Sequence, residues 1–228
     1  MSKKPQKKSD MLKPWMQSRR DNKIPILPEY HLIISEGTKT EPNYFEGLKH
    51  EINYKRKGRI DIRIEGEGDN TLSLLKRAQA HVKKSNNNIK HVWLVYDLDD
   101  FPRDDFDNTA HKCSDLSQSD GSITYHALWS NQSIELWFLL HFAYHQEDTH
   151  RAMYKPALDR NFKAIDSGAY EKNRSDTYTV LRPYLSTAID NAKKLKEFHD
   201  NPVPSKNAPG TNVFEIFDLL SAYLEKDE

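Results

Sequence analysis

Apolar and polar positions fall into a regular order from residue 29 onward. Tyr30-His-Leu-Ile-Ile-Ser35 is a short run of β-branched and apolar residues ending at Glu36-Gly37, which predicts a strand running into a loop. Thr40-Glu41-Pro42 then supplies an N-cap hydroxyl, an acid and a first-turn proline ahead of Tyr44, Phe45 and Leu48 at helical spacing. Ile60-Asp-Ile-Arg-Ile64 alternates with period two and predicts a second strand, and Asn70-Thr71 opens an amphipathic helix carrying Leu72, Leu75, Ala78 and Val82. His91-Val-Trp-Leu-Val-Tyr96 is almost continuously apolar, as a strand covered on both faces must be. A polar helical stretch over 103–116 and a fourth strand, Ile123-Thr-Tyr-His-Ala-Leu-Trp129, follow. Ser130-Asn131 reads as the cap of a helix running to about Phe142.

Strands alternating with helices over 30–143 predict βαβ units and a mostly parallel α/β sheet flanked by helices. No further strand is expected after residue 145. Segments near 150–164, 175–198 and 212–225 read as helical, joined by a Pro/Asn/Gly-rich connection at 201–210. The organisation expected is a leader at 1–28, an α/β core at 29–145 and a helical C-terminal extension at 146–228 packed on that core.

Composition narrows the class. The chain has 228 residues, 36% hydrophobic and 30% charged, with 11% aromatics, which is polar but not a disordered composition. No stretch has the apolar length of a membrane span and the N-terminus lacks a signal-peptide h-region, so a cytoplasmic protein is expected. Cys113 is the only cysteine, which excludes a disulfide framework or a Cys-based zinc site within one chain. The formal charge of zero hides an asymmetry. Residues 1–23 hold eight Lys/Arg, among them Lys3, Lys4, Lys7, Lys8, Arg19 and Arg20, against two acids; this local +6 leaves the remainder at −6. A basic leader on an acidic body suits phosphate attraction by the one and cation binding by the other, and also serves as a plain solubilising arm.

The acids carry most of the chemical information. Ligands of open α/β sheets collect at the carboxyl ends of the strands. Glu36 follows the first strand there, and Asp97, Asp99 and Asp100 follow the third. Asp97 and Asp99, two apart on extended chain, point the same way and repel unless a cation or proton intervenes. Hard oxygen ligands without a usable thiol favour Mg²⁺ or Mn²⁺. Taken alone, such a short D-x-D also serves simply to end a strand. Glu135 lies in Ile134-Glu-Leu-Trp-Phe-Leu-Leu-His-Phe142, a helix apolar nearly all round, where a carboxylate needs a partner, a metal or the helix dipole. Asn131, one turn earlier on the expected helix, is placed to act with it. His141 and His145 lie four apart, as metal ligands can, but with no third ligand they read first as structural or surface residues. Lys39 sits in a loop that lacks the P-loop frame, yet within reach of a phosphate near Glu36.

In order, Ser35-Glu-Gly-Thr-Lys-Thr-Glu-Pro-Asn-Tyr-Phe45, Tyr96-Asp-Leu-Asp-Asp100, Ser130-Asn-Gln-Ser-Ile-Glu-Leu-Trp137 through His141-Phe142, and Asn207-Ala-Pro-Gly-Thr-Asn-Val213 resemble the motifs of the RloB-like family over roughly 30–220. The late turn departs from the tighter Asn-Pro-x-Thr of that pattern. The resemblance implies a Toprim-type, Rossmann-like domain, whose acid after the first strand and D-x-D after a later one are filled by Glu36, Asp97 and Asp99. It further implies a Mg²⁺- or Mn²⁺-dependent nuclease acting on DNA or RNA in anti-phage defence, beside an ATPase of the ABC/AAA type. In that reading Asp97 and Asp99 hold the metal, Glu36 is a further ligand or the acid–base group, and Glu135, Asn131, Asp100 and Lys39 support them. A non-catalytic sensor or ATPase-binding subunit is the alternative, and homo-oligomerisation stays open. A phosphatase of the haloacid dehalogenase type is disfavoured, because Phe101 stands where Thr or Val is required.

Overall fold

The computed structural model describes residues 29–55, 60–66, 71–98 and 103–224. The basic leader, with Lys3, Lys4, Lys7, Lys8, Arg19 and Arg20, and also Asp99 and Asp100, lies outside the described residues.

Strands β1 (Glu29–Ser35), β2 (Ile60–Gly66), β3 (Ile89–Asp97) and β4 (Thr124–Asn131) alternate with helices α1 (Thr40–Lys55), α2 (Thr71–Lys84) and α3 (Arg103–Asp120). They form one sheet in the order β2-β1-β3-β4-β5, parallel over the first four strands. β3 is central, and its near-continuous apolar run is explained by its position: Trp93 and Val95 face one layer, Val92, Leu94 and Tyr96 the other. Edge strand β2 alternates instead, with Ile60 and Ile62 buried and Asp61 and Arg63 exposed. Helices α2 and α3 cover the face of Leu32, Ile34 and Leu94. The opposite face carries α1, the short helix α4 (Glu135–Leu140) and the C-terminal helices α5 (Tyr154–Ala164), α6 (Thr177–Leu181), α7 (Leu185–His199) and α8 (Phe214–Leu219). A single apolar cluster there runs from Ile33 and Trp93 through Trp137 and Phe138 to Leu195 and Phe217.

Three expectations need correction. A fifth strand exists: β5, Gly210–Thr211, pairs antiparallel with β4 through Ser130 and Asn131. Two residues are too few to leave an alternation in sequence. Next to it, Asn212 extends the ladder with its side chain, Oδ1 accepting from Trp129 N at 2.7 Å and Nδ2 donating to Ala127 O at 2.7 Å. The late Asn-Ala-Pro-Gly-Thr-Asn turn thus closes one sheet edge. Second, Ser130-Asn131 is not a helix cap; both residues belong to β4, and α4 starts at Glu135 without a side-chain cap. Third, the helix expected over 175–198 is broken at Arg182–Tyr184, where Pro183 has no backbone N–H to continue the ladder.

The break is pinned to the core. Arg182 donates from Nε and Nη2 to Glu51 of α1 at 2.6 and 2.7 Å, and Tyr178 Oη donates to the same carboxylate at 2.6 Å. Glu51→Ala is expected to lower unfolding free energy by about 2 kcal/mol, the range for hydrogen bonds to charged groups, measured by urea titration. Among the described residues no helix is long and apolar enough to cross a membrane.

Candidate functional site

The loops at the carboxyl ends of β1 and β3 meet the start of α4, and the chain brings buried acids to that point. Glu36 continues the parallel ladder one residue beyond β1, its N–H donating to Val95 O at 3.0 Å. Asp97 closes β3; its backbone N–H favours the ionised Glu36 carboxyl, and its own Oδ2 accepts from Ile134 N at 3.1 Å. Glu135, 3% exposed, begins α4 directly after that amide. Glu41, in the first turn of α1 and 7% exposed, folds back over Gly37.

These four carboxylates act on one another. Burial, the largest cause, raises the Asp97 carboxyl far above its usual range, and the charges of Glu41, Glu135 and Glu36 add to it. Burial also pushes Glu36 up to about 7, against the hydrogen bond from Asp97 N–H and with a contribution from Glu41. Glu41 is raised by burial first, then by Glu135. The phenol of buried Tyr170 is raised by burial and then by Glu135, Glu41 and Asp97, which places it beside the same group. Three oxygens, Glu36 Oε2, Asp97 Oδ1 and Glu135 Oε1, are sealed from solvent and make no hydrogen bond. Among the described residues one cation reaches them: the Lys172 ammonium lies 2.9 Å from Glu135 Oε1, an ion pair without hydrogen-bond alignment.

The structure brings together Glu36, Asp97 and Glu135, while Asn131 and His141 are engaged in other contacts. Asn131 does not share a helical face with Glu135, because it ends β4; its Nδ2 donates to Ser205 O at 3.2 Å and secures the late loop. Lys39 is exposed on the β1–α1 loop. His141 is a core residue whose Nδ1 bonds Trp137 O at 2.9 Å. Sequence reasoning missed Glu41 and Lys172. Glu41 had the signal of an ordinary first-turn acid, and its inward turn depends on Gly37: a Cβ at that position would collide with the Glu41 carboxylate. Gly37→Ala should therefore expel Glu41 and, if the carboxylates hold Mg²⁺, weaken its binding by between about 10- and 100-fold, as loss of a supporting group around a metal does, with little change in melting temperature. Titration calorimetry on the variant beside Glu41→Gln tests this; the two should match.

A second set of donors lies at the opposite, amino end of the sheet. Glu29, His31 and His91 each bring one ligand atom within 4.8 Å of the others and could hold a metal ion. No three carboxylates of the first group converge that closely among the described residues. Donor chemistry nevertheless separates the two. Trp93 Nε1, which can only donate, donates to His31 Nδ1 at 3.1 Å, so neutral His31 carries its proton on Nε2 and offers no lone pair there. A metal at this end must break that bond or displace that proton. The carboxylates need neither, and their hard oxygens fit Mg²⁺ or Mn²⁺.

The comparisons add one decisive finding. A family model described as RloB-like protein matches residues 31–220. The chain belongs to the RloB-like family. No curated protein and no solved structure matches it. The RloB-like match takes in Glu36, Glu41, Asp97, Glu135 and Lys172, and ends at Leu220 just after α8.

Proposed function

We propose that this RloB-like protein is a metal-dependent nuclease that hydrolyses phosphodiester bonds of DNA or RNA, with a Toprim-type arrangement of acids. The observation that carries the reading is the group of sealed, hydrogen-bond-free carboxylate oxygens on Glu36, Asp97 and Glu135, from three different elements at the carboxyl ends of the strands. Carboxylates gathered at one point with oxygens left without hydrogen bonds are costly to bury, and the cost falls when a cation joins them. Glu36 and Asp97, with Asp99 following in sequence, would hold Mg²⁺ or Mn²⁺, which supplies Lewis-acid neutralisation of the phosphate and a more acidic bound water.

The chain's own residues do the rest. Ile134 N–H orients Asp97. If Glu36 is instead the group that moves the proton, the burial that raises its carboxyl to about 7 in the metal-free chain suits it to take one from water or return one to a leaving oxygen. Lys39, exposed beside Glu36, and the basic leader would attract the phosphate backbone. The chain's sequence contains no P-loop, in keeping with an ATPase supplied by a separate partner in a defence system.

The deciding experiment incubates the full chain with a mixed DNA and RNA panel, with Mg²⁺, Mn²⁺ or EDTA, with and without a neighbouring ATPase. Cleavage that requires a divalent ion supports the reading. Metal binding without any cleavage, with or without the ATPase, would favour a non-catalytic sensor.

A further inference from the structure

Lys172 comes from the segment between α5 and α6, far along the chain from the strand ends it meets. Its ammonium pairs with a carboxylate whose side chain is 4% exposed, while its own side chain is 60% exposed. The backbone carrying it is held firmly. Asn43 Nδ2 of α1 donates to the neighbouring Asn173 O at 2.9 Å, and Arg174 Nη1 donates to Ser167 O at 2.6 Å and Ala169 O at 3.0 Å. Arg174 is fixed in turn by Asp176, with Nη2 donating at 2.9 Å. The stem of Lys172 thus starts from an anchored point at the rim and is free along most of its length. A fixed root with an exposed lysine stem lets the charged end swing between the buried acid and solvent without moving the loop.

We infer that Lys172 is the resident counter-ion of the carboxylate pocket, and that it turns onto the phosphate of a bound nucleic acid when a divalent cation takes over the carboxylates. The second half rests on the nuclease reading. The physical reason is competition: an ammonium and a divalent ion repel each other across a shared acid, and the ammonium is the one on a movable stem. The phosphate arriving at the rim is the nearest new anion, and a lysine acts on it as a point charge.

Two readouts separate the halves. Calorimetric titration of the full chain with Mn²⁺ alone should show Lys172→Met binding about tenfold tighter than the natural chain, in the range of ordinary coupling between sites, and Lys172→Arg within twofold. Adding Lys172→Met to Glu135→Gln should then change affinity far less, because the shared acid is gone. At saturating Mn²⁺, Lys172→Met should cut about 100-fold more slowly, chiefly in kcat, with Lys172→Arg restoring much of the loss. Unchanged or weaker Mn²⁺ binding by Lys172→Met overturns the counter-ion assignment. Tighter binding with undiminished cleavage overturns the phosphate contact. A natural chain that binds Mn²⁺ yet cuts nothing defeats the nuclease reading and the phosphate contact together, and leaves the counter-ion assignment to the titration.

Discussion

Asp97→Asn is expected to abolish metal-dependent cleavage, by about 1,000-fold or more, the scale of losing a central group of electrostatic catalysis, while leaving the fold intact. The asparagine can still accept from Ile134 N–H through its amide oxygen, so the local hydrogen bond that seats the loop survives. What disappears is the carboxylate that a cation could hold; burial, and then the charges of Glu41, Glu135 and Glu36, raise the Asp97 carboxyl now. Without divalent ions the variant should melt at about the same temperature, since the raised Asp97 carboxyl is already held toward its neutral form and the amide replaces it with the same shape. The upward shift produced by Mg²⁺ should shrink, because a ligand stabilises only in proportion to its affinity for the folded state. If Asp97 merely ended a strand, its loss would cost about 0.5–2 kcal/mol with or without metal, as loss of a capping acid does. Melting curves in Mg²⁺ and in EDTA distinguish the two outcomes.

Acid should weaken the fold through His141, and a variant isolates the effect. His141 is 1% exposed, its Nδ1 bonds Trp137 O, and its Nε2 is buried without a partner. Burial, the largest cause, lowers its pKa to about 4, against the hydrogen bonds to Trp137 and Phe138. The unfolded chain takes up a proton on this ring near pH 6.5, whereas the folded chain refuses it until about 4. The contribution of His141 is therefore complete above 6.5 and drains away as pH falls to 4. The gap in unfolding free energy between the natural chain and His141→Leu should move by about 3 kcal/mol against the natural chain over that window. Taking the difference cancels the pocket carboxylates, whose raised pKa values work in the opposite direction and stabilise the fold toward acid. A gap that stays constant from pH 7 to 4 would refute the burial of a neutral ring.

What the sequence disclosed followed from short-range pattern. β3 announced itself because a central parallel strand is apolar on both faces, and β2 because an edge strand is not. The positions of Glu36 and Asp97 at neighbouring strand ends were legible from the strand pattern, and the burial of Glu135 from the apolar run around it. The errors came from contacts distant in sequence. Asn131 looked like a helix cap, but pairing with Gly210 draws it into β4. Glu41 looked like a helix-dipole acid until Gly37 and the neighbouring charges were seen around it. Lys172 lies in a polar connection with no periodicity to single it out, and only tertiary folding brings it to Glu135.

The two borders of the sheet have unequal prospects for recruiting another chain. One is occupied by Gly210–Thr211 and the amide of Asn212, so no intruding segment can hydrogen-bond to that end of β4 without evicting them. The other is β2, where exposed Asp61 and Arg63 interrupt the buried isoleucines. Charges on a border strand discourage lateral growth of a sheet into a continuous ribbon. Strand addition at the carboxylate end of the sheet, where Ser130 and Asn131 lie, is thus already taken by the chain itself.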